Sequence, residues 1–289
     1  MSWPPTVRVA LASRPDNVAV IREIVAGIAD VVELAGGLDD VKIAVSEACN
    51  NVVMHAYGSG EGPLEVDLRI LPELLEVVVR DHGVGIDPLQ ASRASETTLG
   101  RGLGLVVIAE LSDRFELRRL EPHGLEVVMG FTARARSDRL GEGGGTDLAD
   151  CEWLAAPDGA VHLAIAPPAL SAVVLDRVVV VAAARAGFSI DRLSDAQLVA
   201  DALAAHIVPA LSAPRLMFAA KGEQRRLELA LGPLKPGGSR TAFAASAIGA
   251  LGGVIEHLAD EVAVSESGSE ELLKLILVDQ RPTPAGAPA

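Results

Sequence analysis

From residue 7 to residue 12 apolar and polar positions alternate, the period of a half-buried strand, and Val18, Ile21, Ile24, Val25, Ile28 and Val32 then recur at helical spacing. The pattern predicts a strand that leads into an amphipathic helix. A second helix is expected from Asp39 or Asp40, either of which can cap it; Val41, Ala44, Val45, Ala48 and Val52 form its buried stripe, and Tyr57 and Gly58 end it. Residues 64–70 and 75–80 are β-rich runs joined by a turn that contains Pro72, as in a hairpin. A glycine-bearing loop follows at 81–86, then a polar stretch at 87–99. Gly100, Gly102 and Gly104 precede a helical run at 105–111, and two further strands close near Phe131. The predicted order is β, α, α, β, β, loop, α, β, β.

The second half repeats the first. VHLAIAPPALSAV from Val161 parallels VRVALASRPDNVA from Val7, at an offset of 154, and LSDAQLVADAL from Leu193 parallels LDDVKIAVSEA from Leu38, at 155. VIEHLADEVAV from Val254 matches VIAELSDRFEL from Val107, at 147. Three blocks in the same order point to a tandem duplication. Between them residues 137–150, SDRLGEGGGTDLAD, are rich in glycine and charge and lack apolar periodicity, so a flexible linker is expected over 137–156. It separates a domain at 1–136 from one at 157–280, and the last residues, 281–289, are expected to be a disordered tail.

Hydrophobic residues make up 49% of the chain and aromatics 3%, so its cores must be aliphatic. The formal charge of −14 opposes direct binding of nucleic acid, which depends on Lys and Arg displacing counterions. Cys49 and Cys151 lie in different halves without metal-like spacing, the start has no signal-peptide pattern, and no apolar run approaches membrane length. A cytoplasmic protein without a membrane segment is expected, and the six scattered histidines suggest no zinc site.

Three short patterns can carry chemistry. In SEACNNVVMHAY, helical spacing places Glu47, Asn51 and His55 on one polar face, opposite Val45, Ala48 and Val52. A carboxamide oxygen can ligate magnesium and a neighbouring carboxylate can accept a proton, although such a pair on a helix is more commonly solvated surface. In VVVRDHGVGI a strand ends in Asp81, an acceptor suited to an adenine amine, and Gly83 and Gly85 permit close backbone approach; the plainer reading is a turn. In GRGLGL, Gly100, Gly102 and Gly104 open a helix whose backbone amides can hold phosphate, or they form a hinge.

The order and spacing of these three boxes, over residues 7–134, resemble the GHKL (Bergerat-fold) ATPase superfamily, and EACNNVVMHAYG most resembles its anti-sigma factor serine/threonine kinases. The resemblance implies an α/β two-layer sandwich, in tandem copies, each a mixed sheet with helices on one face. It implies that Asn51 coordinates magnesium and Glu47 is the catalytic base. Asp81 would read the adenine amine, with Gly83 and Gly85 as the floor of the base pocket. Gly100, Gly102 and Gly104 would wrap the phosphates beneath a lid at 87–99, with Arg101 placed to contact the terminal phosphate. The implied cofactors are ATP and Mg, and the implied partners are a sigma factor or a STAS-type antagonist. The alternative is a non-catalytic switch in which ATP creates a docking surface.

In register with the first half, Ala202 stands where Glu47 does, His206 where Asn51 does, and Pro233 near the position of Asp81. The second copy is therefore expected to fold without a nucleotide site. It is expected to stand in for the homodimer partner of the family as an intramolecular pseudo-dimer.

Overall fold

The computed structural model describes residues 3–83, 103–136, 145–148, 153–154, 159–245 and 253–280. Its N-terminal half runs β1 (Thr6–Ala12), α1 (Asn17–Ala29), β2 (Val32–Leu34), α2 (Leu38–Asn51), β3 (Pro63–Ile70), β4 (Leu74–Asp81), α3 (Leu103–Leu111), β5 (Arg114–Arg119) and β6 (Leu125–Ala135). The C-terminal half runs β7 (Val161–Ala166), α4 (Ser171–Arg185), α5 (Ile190–His206), β8 (Leu216–Glu223) and β9 (Arg226–Leu234). It continues through α6 (Gly238–Ala245), α7 (Val254–Leu258), β10 (Glu261–Ser267) and β11 (Glu270–Val278). Strand alternation sends Val7, Val9 and Leu11 into the same aliphatic core as Ile21, Ile24 and Ile28 of α1 and Val41, Val45 and Ala48 of α2.

Val32 departs from its expected place. The helix ends at Ala29, and Val32 begins a short edge strand whose backbone pairs with Ala133–Ala135 of β6. A buried valine serves a helix stripe and a strand equally well, so periodicity could not separate the two.

The strands form one sheet in the order β10-β11-β9-β8-β7-β1-β3-β4-β6-β2, with β5 also on β6. Every described pairing is antiparallel, where a mixed sheet was expected. The crossover from β4 through α3 does return a strand, β5, in the same direction as β4, but its hairpin partner β6 inserts between them. The equivalent insertion places β11 between β9 and β10. Strand order β1-β3-β4-β6-β5 in one half thus corresponds to β7-β8-β9-β11-β10 in the other.

The halves share this sheet through β1 and β7, with Val9 opposite Leu163. The offset of 154 maps Val9 onto Leu163, and it exchanges the pairs Arg8 with Ala164 and Ala10 with His162. The join is therefore two-fold in character, as in an isologous interface. Beneath it α1 meets α4 closely: a Cβ on Gly27 would lie 2.0 Å from the Val173 carbonyl oxygen. Two of the segments read as linker also touch the sheet. Gly145 bridges Trp3, and Leu148, Trp153 and Leu154 pack with Ala164, Ala166 and Met217 on the face away from the main core.

On that outer face Asp67 is 1% exposed and is held by Arg8 at 2.8 Å, Arg69 at 2.9 Å and Arg80 at 2.8 Å, while Arg80 also reaches Glu126 at 2.5 Å. Burial alone pushes the Asp67 carboxyl up, but Arg8 and Arg80 outweigh it and hold it below the ordinary carboxylate range. A depressed folded-state pKa stabilises above the unfolded value and is lost as pH falls through the folded one. Asp67→Asn is expected to cost about 3 kcal/mol at neutral pH because it leaves buried guanidinium groups uncompensated. Urea unfolding at pH 7 and pH 3 checks this: the gap between wild type and variant should narrow in acid.

Candidate functional site

Helix α2 begins at Leu38 with Gly37 at its N-cap, so Asp39 and Asp40 lie in its first turn, where they complement the helix dipole instead of capping it. At its other end the backbone widens into a π-helical segment, Val52–Ala56, immediately after Asn51. Such segments are rare and recur at functional sites. Asn51 and exposed His55 line one small cavity together, whereas Glu47 faces the start of α3.

The contact with α3 is made by Gly104. A Cβ there would lie 3.2 Å from Glu47 Oε2 and 3.4 Å from Asn51 Oδ1. The structure thus brings one glycine of the third box against both polar residues of the first. Asn51 Nδ2 is buried and has no hydrogen-bond partner among the described residues, an unsatisfied donor in a place where burial without a partner is costly.

Asp81 is the last residue of β4, set between Leu64 of β3 and Leu125 of β6. It is 5% exposed, and burial pushes its carboxyl above the ordinary range, partly offset by the backbone N–H groups of Gly83 and Leu125. The Gly83 N–H donates to Asp81 Oδ1 at 2.9 Å. Gly83 itself is pinned by packing, since a Cβ would sit 2.0 Å from the Ala56 carbonyl oxygen at the end of the π segment. Gly83→Ala should therefore separate the loop from the helix end and destabilise the chain by about 1–3 kcal/mol, measurable by thermal or urea unfolding.

Asn51, His55 and Asp81 meet Ala48, Val52, Ala56, Leu105, Leu125 and Val127 around a cavity of about 20 Å³. That is room for about one water. Gly85, Gly100, Arg101, Gly102 and the lid at 87–99 lie outside the described residues.

Sequence reasoning missed two supports. Tyr57, the single tyrosine, accepts a hydrogen bond from the His82 N–H at 2.8 Å and donates to the Pro63 carbonyl at 2.5 Å, tying the end of the π segment to the loop after β4. Gly124 holds φ +122° in the β5–β6 hairpin, and a Cβ there would meet the Asp81 carbonyl oxygen at 2.2 Å. A lone aromatic at a helix end and a glycine in a strand-to-strand turn were the available signals, and neither distinguishes a site support from an ordinary turn.

At the corresponding place in the C-terminal half, α5 carries Ala202 and His206, and Pro233 lies in β9. The start of α6 is already engaged by a carboxylate: Glu271 accepts from the Gly237 N–H and from Ser239 N–H and Oγ–H, the last two at 3.1 and 2.7 Å.

The model of the histidine kinase-like ATPase domain family matches residues 11–131, a stretch that contains Glu47, Asn51, Asp81 and Gly104. A serine-protein kinase RsbW from Bacillus cereus (strain Q1) is 32% identical over 133 residues, covering 43% of this chain and 82% of that protein. The same values hold for serine-protein kinases RsbW from Bacillus thuringiensis subsp. konkukian (strain 97-27) and Bacillus anthracis (strain CDC 684 / NRRL 3495). The chain belongs to the RsbW family of histidine kinase-like ATPases. The RsbU and RsbW domains of a Mycobacterium tuberculosis protein overlay with a TM-score of 0.26 at 10% identity, covering 98% of this chain and 89% of that one, so the assignment rests on sequence. No described helix is long and apolar enough to cross a membrane.

Proposed function

We propose that the N-terminal half is a MgATP-dependent serine/threonine protein kinase of the anti-sigma factor type, acting in the cytoplasm on a STAS-type antagonist and sequestering a sigma factor. The observation that supports it best is the convergence of Glu47, Asn51 and Gly104, with buried, unpartnered Asn51 Nδ2 beside them. These groups fit MgATP: Asn51 offers an oxygen to magnesium, Asp81 an acceptor for the adenine amine, and Gly83 and Gly85 the floor of the base site. Gly100, Arg101, Gly102 and Gly104 would supply phosphate contacts. Bound ATP supplies the phosphoryl group. Glu47, free of the cavity lining, is the base that takes the proton from the acceptor hydroxyl. The C-terminal half is a second copy of the module without a nucleotide site, which the absence of matching carboxylate and Asn and the engagement of α6 by Glu271 support.

One observation favours a second reading, in which ATP acts as a switch without phosphoryl transfer. The cavity beside Asp81 admits about one water, and Leu105 of α3 lines it, so seating a base there requires α3 to move. Leu103 and Val106, 58% and 52% exposed on that helix, would move with it and alter a docking surface. Affinity capture from the native host with the chain held in ATP or ADP, followed by incubation of each captured protein with labelled ATP, tests both readings. Kinase action is expected to label a serine or threonine on a captured STAS-type protein; nucleotide-dependent capture without label favours the switch, and neither effect refutes both.

A further inference from the structure

The close ion pairs between the halves among the described residues are polarised. Asp16, Glu23 and Asp30 lie seven residues apart, two helical turns, along α1 and its caps, and so share one stripe. Facing them on α4 are Arg177 and Arg185. Arg177 reaches Asp30 at 2.8 Å and Glu23 at 3.4 Å, while Arg185 pairs with Asp16 and donates to Asn17 Oδ1 at 2.7 Å. In each pair the N-terminal half brings the acid and the C-terminal half the arginine.

The repeat makes this polarity informative. The offset of 154 that maps Val9 onto Leu163 also maps Glu23 onto Arg177, so a position near the two-fold axis meets its own counterpart with the opposite charge. Arg22 and Asp176 are counterparts by the same offset, line the same inter-helix groove and are likewise inverted in sign. Two N-terminal halves joined in this way would set Glu23 against Glu23, and each Glu23 against the other's Asp30. Gly27 brings the two helices close together beside these charges.

We propose that this charge inversion makes the β1–α1 face accept the C-terminal half of its own chain and reject the same face of another chain, so that the protein closes on itself as a monomer. The inference rests on the two-copy reading above and is independent of the kinase reading. Each pair is partly exposed, from 29% to 54% by side chain, so no single one is strong; what discriminates is the difference between a matched set and a like-charged one. The edge of β1 is meanwhile covered by β7, which removes the strand another chain could extend.

A charge-swap cycle on the full chain tests this. Arg177→Glu alone, and Glu23→Arg with Asp30→Arg alone, are each expected to lower the thermal midpoint at low salt by about 3–6 °C, and by less at high salt. The triple variant, with the signs exchanged, should recover at least half of that loss. Light scattering should give wild type and triple variant the mass of one chain, 29.9 kDa. Should a lone reversal fail to fold, folding of the triple variant supports the proposal. Absence of recovery in the triple variant overturns it, as does a wild-type dimer. ATP titration of the same samples reports separately on the nucleotide site.

Discussion

Asn51→Ala and Asp81→Asn are each expected to weaken ATP binding about 100-fold or more, the scale of losing a hydrogen bond to a charged group and leaving its partner unsatisfied. Asn51→Ala removes the oxygen assigned to magnesium. Asp81→Asn replaces one carboxylate oxygen by an amide that points a donor at a donor. The second substitution also separates binding from folding. Burial holds the Asp81 carboxyl above its ordinary pKa, so its ionised form costs stability that returns as pH falls through the folded-state value. At pH 7 a neutral amide should therefore leave the thermal midpoint unchanged or raise it while affinity collapses. Calorimetric titration beside a melting curve measures both, and wild type should bind one nucleotide per chain. Wild-type affinity in either variant, or two sites in the wild type, would remove the basis of the site.

Glu47→Ala is expected to lower phosphoryl transfer to the partner by about 10²–10⁴-fold, the usual contribution of a positioned base, with ATP affinity little changed. The geometry motivates the split. Glu47 stands against Gly104 and does not line the cavity that Asn51 and Asp81 share. A base acting on the acceptor hydroxyl changes the rate and spares nucleotide binding. Single-turnover transfer and calorimetry on the same variant distinguish the outcomes. Undiminished transfer would show that Glu47 is not the base.

The polar residues of the first two boxes were legible because their spacing is local. Asn51 lies four residues from Glu47 on a helix whose buried stripe is plain in the sequence, and Asp81 closes a run whose valines mark it as a strand. The π segment was not legible, because VVMHA has no composition that marks a widened turn, and whether the helix end widens depends on what packs against it. Here that neighbour is Gly83, whose backbone abuts the Ala56 carbonyl from the loop after β4, 27 residues away. Tyr57 and Gly124 escaped notice for the same reason: each acts on a backbone distant in sequence.

By itself the sequence determined the order of the principal elements, which follows from periodicity, and it supplied the three short boxes and the matching blocks at near-constant offsets on which the site and two-copy readings rest. It also carried the acidic stripe of Asp16, Glu23 and Asp30, without saying what that stripe faces. Tertiary structure decided that the two halves share one sheet, that β6 and β11 insert to make every described pairing antiparallel, and that Glu23 and Arg177, at the offset of 154, meet. Strand neighbours and helix partners are chosen by how whole apolar faces are buried together and which backbone edges remain unpaired, and no local pattern contains that information.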